Sequence, residues 1–348
     1  MAERKSPVSA GRVGREATLA LPLLGGAILV LVLIALSVGA YPLPLGQALA
    51  LLGERALGGG AGGTAEETVL FAIRLPRIIA ALVVGAALAA AGTAYQGMFR
   101  NPLVSPDILG VSAGAGLGAV LGIFLSLPVF AIQAAAFLGG LAAVATVALI
   151  GSLVRGRDTV LVLVLAGVVV GALAGAGTSL LKVLADPYDQ LPAITFWLLG
   201  SLATVKAEDV YATLPAVVAA VLPLALLRWR INVLAMGDEE ARSLGVDAGK
   251  LRLAVIGCAT LMTAAVVSIS GVVGWVGLVI PHIARMVVGP NFGVLLPAAL
   301  LMGAGYMLLV DTLARGIAAT EVPLGILTAI IGAPVFIWLL ARGRRGWT

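Results

Sequence analysis

The sequence predicts an all-α, polytopic membrane protein of about ten transmembrane helices, folded as a single domain over residues 1–348. Three observations predict it: 61% of the residues are hydrophobic and only 11% charged, the mean hydropathy is +1.11, and apolar runs of spanning length are separated by short polar gaps. A soluble domain is about half apolar and a quarter charged, so the solvent of this fold is lipid. A bilayer core about 30 Å thick takes roughly 20 apolar residues per helix. Membrane β-barrels alternate apolar and polar residues, whereas these segments are apolar all round, which leaves helices.

The first span, near 19–40, follows Arg4, Lys5, Arg12 and Arg15. It is longer than the apolar region of a signal peptide and lacks an A-x-A site, so it reads as a retained helix. Further spans fall near 77–98, 108–126, 129–153, 159–181, 208–227, 253–270, 273–288, 293–312 and 323–341. With the N-terminus inside, 16 of the 22 Lys and Arg lie on the inner side, and Arg55, Arg74, Arg77, Lys182, Lys206 and Arg315 on the outer. The positive-inside rule selects that orientation, and an even number of spans puts both termini inside. The net charge of +5 therefore sits at span ends and does not point to nucleic acid. Cys258, the single cysteine, builds neither a disulfide framework nor a metal set.

Two longer polar segments interrupt the spans. Residues 41–76 form an outer loop whose tract Gly58-Gly59-Gly60-Ala61-Gly62-Gly63 matches G-x-G-x-x-G but follows no strand, so it reads as a flexible linker. Residues 228–252 form an inner pair of short helices: Asp238 can cap the first, Gly245 suits its C′ position and Asp247 can cap the second. Glycines at four-residue spacing in span 3 (Gly110, Gly114, Gly118, Gly122) and span 5 (Gly167, Gly171, Gly175) make flat faces for close helix packing. Two halves of five spans would have opposite orientations, leaving room for inverted symmetry.

No span contains a charge in its interior, which argues that the energy for any transport enters elsewhere. It does not enter through a nucleotide site on this chain, because Gly245-Val246-Asp247-Ala248-Gly249-Lys250-Leu251 has the wrong glycine spacing for a P-loop and lacks its Ser or Thr. Gly110-Val111-Ser112-Ala113-Gly114 fits the nucleophile elbow of serine hydrolases, with His282 as a base, but the elbow needs a strand before the helix. The alternative reading, an intramembrane serine hydrolase, is correspondingly weak. His282 alone cannot build a metal site.

Taken together, Arg74-Leu75-Pro76-Arg77, the stretch from Gln96 to Leu103, Leu109 to Gly114, Phe196 to Leu202, Ala241 to Val246, Gly277 to His282 and Gly332 to Phe336 resemble the FecCD-type permeases. These are the membrane subunits of bacterial ABC importers for iron-siderophores, haem and vitamin B12, and the likeness runs in order over nearly the whole chain. It implies a fold like that of the vitamin B12 importer permease, a type II importer, in the bacterial inner membrane. It implies four kinds of partner: a second copy of the chain, two ATP-binding subunits, a periplasmic substrate-binding protein and the lipid bilayer. No cofactor belongs to this chain, and ATP and Mg would bind the partner ATPase.

The resemblance also assigns residues. Within 231–252, Asp238, Glu239, Glu240, Arg242, Ser243, Leu244, Gly245 and Val246 would dock into the ATPase. Arg74, Arg77 and Arg315 would meet acidic residues of the binding protein, although Arg315 also has Asp311 and Glu321 nearby as intrachain partners. Asn101, Pro102, Leu103, Asp158 and Thr159 would flank a cytoplasmic gate. Spans 5, 8 and 9 would line a passage of small residues, and the pattern favours haem as cargo, then ferric siderophores or cobalamin, with molybdate last.

Overall fold

The computed structural model describes residues 7–59, 62–154, 159–318 and 320–342, so Asp158 of the expected gate lies outside the described residues. Inner and outer ends are named here by the positive-inside rule. Helices account for all the regular structure described. The first half of the chain contributes α1 (Pro7–Ser37), α2 (Leu45–Ala56), α3 (Ala65–Glu67), α4 (Leu75–Phe99), α5 (Val111–Phe124), α6 (Val129–Leu153) and α7 (Thr159–Leu184). After α8 (Gln190–Leu199), the second half contributes α9 (Ala207–Leu226), α10 (Arg228–Leu234), α11 (Asp238–Ser243), α12 (Ala248–Ser270), α13 (Val276–Val288), α14 (Phe292–Gly316) and α15 (Leu324–Arg342).

Each of the ten predicted spans corresponds to a helix, but among the described residues only seven are long and apolar enough to cross a membrane. Spans 3 and 8 are half-length. α5 has 14 residues and α13 has 13, about 20 Å each at 1.5 Å per residue. The segments before them, 100–110 and 271–275, enter the membrane domain as irregular chain. Such backbone is tolerated at depth only where protein or water satisfies it. Gln96, 2% exposed, meets part of that need: its Nε2 donates to the carbonyls of Val104 (3.3 Å) and Leu278 (3.1 Å). The chain at 200–201 ties the neighbouring helix ends together, with Ser201 N donating to the carbonyl of Ser270, the last residue of α12, at 2.8 Å and Leu324 N, the first of α15, donating to Gly200 O at 2.9 Å.

The polar segments differ from expectation. The outer segment is largely helical: it holds α2, and Thr64 opens a helix that runs through a π-helical turn, Thr68–Arg74, into α4. The cause is a capping box, in which Glu67 N donates to Thr64 Oγ1 (3.2 Å) and Thr64 N to Glu67 Oε2 (3.4 Å). At the inner end Gly237, not Asp238, occupies the cap of α11, and Gly245 takes the expected left-handed conformation with φ 76°. Asp247 does cap a helix, accepting from Lys250 N at 3.0 Å, but that helix is the 23-residue α12, span 7 itself, rather than a second short one.

α4 holds the centre. It packs on α12, α13 and α14, while α12 packs on α4, α5, α6 and α9; the α13–α14 and α5–α6 pairs correspond as in an inverted repeat, but the contact of α12 with α9 has no equal between α4 and α1. The approaches are backbone to backbone. A Cβ built at Gly85 would overlap the Gly303 carbonyl oxygen, and one at Gly92 would overlap that of Gly277. The span-3 glycines pack similarly, Gly114 on Gly139 and Gly118 on Ala135. In span 5, Gly167 meets Ile108, whereas Gly171 and Gly175 face open space.

Because no flexible side-chain end separates the helices at Gly92, Gly92→Leu forces α4 away from α13, and overpacking of this kind costs about 1–3 kcal/mol or more. The expected outcome is a lower melting temperature and loss of monodisperse protein in detergent. Gly171→Leu, in open space, should leave both nearly unchanged.

Candidate functional site

The outer end assembles the three arginines expected there. The first turn of α4 carries Arg77, the turn before it Arg74, and the last turn of α14 Arg315; all three line one cavity of about 660 Å³ together with Tyr41, Ile73 and Glu321. They are not free surface charges. Arg77, 4% exposed, donates Nε to Asp311 Oδ1 (2.8 Å) and grips Glu321 with both terminal nitrogens (2.6 and 3.0 Å). Arg315 reaches the other oxygen of Asp311 with its Nε (3.1 Å) and donates Nη1 to Val38 O (3.0 Å). Arg74 spends its donors on the carbonyls of Leu36 and Tyr41, at the end of α1 and just beyond it.

The two carboxylates foreseen as neighbours of Arg315 are thus divided. Asp311 is shared, and Glu321 belongs to Arg77. Among the described residues no carboxylate forms an ion pair with Arg74. Three guanidinium groups against two carboxylates leave the cavity with an excess positive charge, and Arg74 is its source.

The inner end brings the helix pair next to the turn after span 2. Asn101 Oδ1 accepts from Leu103 N at 2.9 Å, an Asx turn that holds Asn101, Pro102 and Leu103 in shape. Arg100, immediately before it, is left-handed at φ 51°, and its Nη1 lies 3.5 Å from where a Cβ on Gly237 would stand. Asp238, at the start of α11, forms a two-point ion pair with Arg252 of α12 (2.9 and 2.6 Å). That hydrogen bonding, with the charges of Arg252, Arg100 and Arg242, holds the Asp238 carboxyl below its ordinary pKa. Asp247 is also held low, chiefly by the Lys250 N–H at the start of α12.

Glu239, Glu240, Arg242, Ser243, Leu244 and Gly245 are exposed on this surface, whereas Val246 is buried beneath it. Met236 (63% exposed) and Leu244 (51%) add apolar area between the charges. Of the second expected gate turn, Thr159 is the first residue of α7. Ser112 of the hydrolase motif is hydrogen-bonded to Asp107, and the elements before it are α4 and a 3₁₀ turn, Pro106–Leu109, not a strand. Asp107 is a functional candidate that the sequence reading passed over.

A membrane protein with an internal cation cluster at its outer end and a charged helix pair at its inner end has the plan of a transport subunit. The family model described as the FecCD transport family matches residues 27–342. The chain belongs to the FecCD family. Relatives include the molybdate import permease of Haemophilus influenzae (43% identical, covering 81% of this chain and 83% of the relative). The cobalamin import permease of Halobacterium salinarum is 44% identical, over 79% of this chain and 73% of its own. The hemin transport permease of Yersinia pestis is 41% identical, over 78% and 83%. A solved inward-facing structure of a metal-chelate type ABC transporter superposes with a TM-score of 0.82 at 38% identity, covering 92% of this chain and 98% of that one. Arg77 and Asp311 are thus 234 residues apart in a FecCD chain and meet at 2.8 Å.

In this FecCD member Asp311, fully buried, is the hub of the outer cluster. Asp311→Asn strands Arg315 beside Arg77 without a counter-charge, and breaking a buried pair this way costs about 3–5 kcal/mol. A clear drop in melting temperature in detergent is the expected result. An unchanged melt would show that backbone carbonyls alone satisfy Arg315.

Proposed function

We propose that this chain is the substrate-conducting subunit of a binding-protein-dependent ABC importer for a metal chelate. The observation that carries the reading is the superposition, over 92% of the chain, on a metal-chelate type ABC transporter. Two copies would surround the pathway in a bacterial inner membrane with their termini in the cytoplasm. Two ATPase subunits would dock on the helix pair within 231–252, where exposed Glu239, Glu240 and Arg242 surround exposed Met236 and Leu244. The turn 101–103 and the start of α7, with Asp158 and Thr159, would form the inner gate. ATP and Mg would belong to those partner subunits.

The outer cavity of each of the two copies would receive a carboxylate from one lobe of the binding protein. Arg77 and Arg315 are engaged by Asp311 and Glu321, which supports Arg74, paired by no carboxylate among the described residues, as the one that would carry the docking charge while the other two hold its platform. Haem is the favoured cargo, with ferric siderophores and cobalamin next. Permeases of molybdate, cobalamin and hemin systems are 43%, 44% and 41% identical to this chain, so overall identity does not choose among cargoes.

Reconstitution with the cognate ATPase and binding protein tests the reading. The chain alone should hydrolyse no ATP, and the assembled complex should drive uptake of haem into vesicles ahead of ferric siderophore, cobalamin and molybdate. ATP hydrolysis by the purified chain would overturn the assignment, and preferential uptake of another chelate would correct the cargo alone.

Arg74 is itself only 3% exposed, so the docking charge is the field of the cluster at the mouth of its cavity, which salt screens as the screening length falls to about 3 Å at 1 M. Binding-protein affinity should therefore drop as ionic strength rises. Arg74→Glu should reduce delivery while ATPase association stays intact, and a Lys in place of the facing carboxylate on the binding protein should restore part of it. Affinity indifferent to salt and to reversal would leave Arg74 as a fastener of α1.

A further inference from the structure

Two independent gauges fix the depth of the irregular segment between α4 and α5. A Cβ built on Gly277 would lie 2.5 Å from Pro106 Cδ and 2.9 Å from the carbonyl oxygen of Leu88. Pro106 is therefore level with a residue of α4 about 16 Å from that helix's inner end, at 1.5 Å per residue. A Cβ on Gly167 would overlap the carbonyl oxygen of Ile108. Gly167 stands about 12 Å along α7 from its inner end by the same measure. Asp107, between Pro106 and Ile108, is thus close to the middle of a hydrocarbon layer about 30 Å thick.

At that depth Asp107 is nevertheless exposed on the surface of the chain. Ser112 Oγ, in the first turn of α5, donates to its Oδ1 and holds it in place. Asp107 forms no ion pair among the described residues. An exposed carboxylate without a counter-charge is strongly disfavoured against acyl chains, and such groups in membrane proteins face a bundle interior or a water-filled cavity. The same surface continues onto α7, where Gly171 and Gly175 have nothing within 4 Å of an added Cβ.

We propose that Asp107 faces the water of the translocation conduit and sets the sign of its field, favouring cations and opposing anions. The assignment deepens the reading of the chain as a conduit and rests on it. It defines the cargo class by charge. A chelate passes Asp107 easily only with a neutral or cationic face turned toward it, so haem would have to keep its two propionates pointed away, whereas a compact dianion such as molybdate has no such face and meets the full repulsion. Asp107 is a specificity-determining residue positioned by Ser112.

Thiol labelling tests the field without knowledge of the cargo. In a Cys258→Ser background, which removes the chain's single cysteine, Gly171→Cys is exposed in membrane vesicles, opened so that both faces are accessible, to the trimethylammonium and sulfonate forms of an ethyl methanethiosulfonate reagent. Both should react, with the cationic form favoured. Asp107→Asn should shrink the cation-to-anion ratio of rates by about fourfold or more, the value for one carboxylate about 10 Å away in a water-like dielectric. Asp107→Cys should itself be modified, while Leu138→Cys, on the exposed apolar face of α6, should not.

An unchanged ratio in Asp107→Asn overturns the proposal, as does failure of both Gly171→Cys and Asp107→Cys to react. Should Asp107→Asn fail to fold, Asp107→Ser replaces it, and the rate ratio at Gly171→Cys with Asp107 intact, divided by the ratio of the two reagents with a free thiol in solution, still decides. Labelling needs neither ATPase nor binding protein, so a failed uptake assay and a failed labelling assay are separate results.

Discussion

Helices that meet in lipid gain little from the hydrophobic effect, because the tails they leave are as apolar as the partners they find. α4 holds the centre of this protein because glycines let its backbone touch those of α13 and α14. Gly85 lies on Gly303 and Gly92 on Gly277, and at both places an added Cβ would overlap a carbonyl oxygen. The consequences run outward from these contacts. Gly277 also bears on Pro106, so the approach of α4 to α13 fixes how deeply the 100–110 segment enters. The meeting of α4 with α14 then brings Arg77 to Asp311 at one end.

That outer meeting point illustrates a second constraint. A buried ion pair is justified only when its geometry is complete, since desolvation offsets much of the Coulomb attraction. Here the geometry is nearly complete: Asp311 Oδ1 takes Arg77 while its Oδ2 sits 3.1 Å from Arg315 Nε without a hydrogen bond, Glu321 takes the fork of Arg77, Arg315 donates to Val38 O and Thr312 Oγ1, and Arg74 to the carbonyls of Leu36 and Tyr41. The cluster therefore ties α1, α4 and α14 together and still keeps one positive charge, on Arg74, unpaired by any carboxylate among the described residues. One set of residues can both fasten the fold and present charge, because three cations share two anions.

Hydropathy and charge placed a helix at each of the ten predicted spans, since the membrane imposes length and sidedness on each segment separately. What they did not reveal depends on pairs far apart in sequence. α13 reads as an ordinary span because the chain before it, 271–275, is itself apolar, and α5 because its span starts at 108, past the polar residues of 100–107; only the contacts of Pro106 with Gly277 and of Gly200 with Val272 show that both segments lie inside. Asp107 fell one residue outside a span drawn from 108, so its depth was hidden. The helix from Thr64 was written in the Thr-x-x-Glu capping box but lay under a glycine tract that suggested a loop. The four-residue glycine spacing was read correctly as a packing face in span 3. In span 5 an added Cβ is blocked at Gly167 and open at Gly171 and Gly175, although the Gly171 backbone still lies against Gly110, so spacing cannot separate a contact from an opening.

The inner end shows why the turn 101–103 is not an independent loop. Asn101 N donates to Gln96 O at 3.2 Å, and Gln96 is itself anchored to Val104 and Leu278, so the turn moves with α4 and α13. On its other side Ile231 of α10 packs against Gly97, and Arg100 stands over Gly237 and contributes to the field at Asp238. Asp238 in turn is clamped to Arg252 of α12. Close-packed interiors have little slack, so a displacement of α10 and α11 must either carry α4's inner end with it or open the contact at Gly97. The contacts are contiguous from an exposed helix pair to a turn at the mouth of the membrane domain. Contacts contiguous in this way give a push at the surface a packed path to the turn.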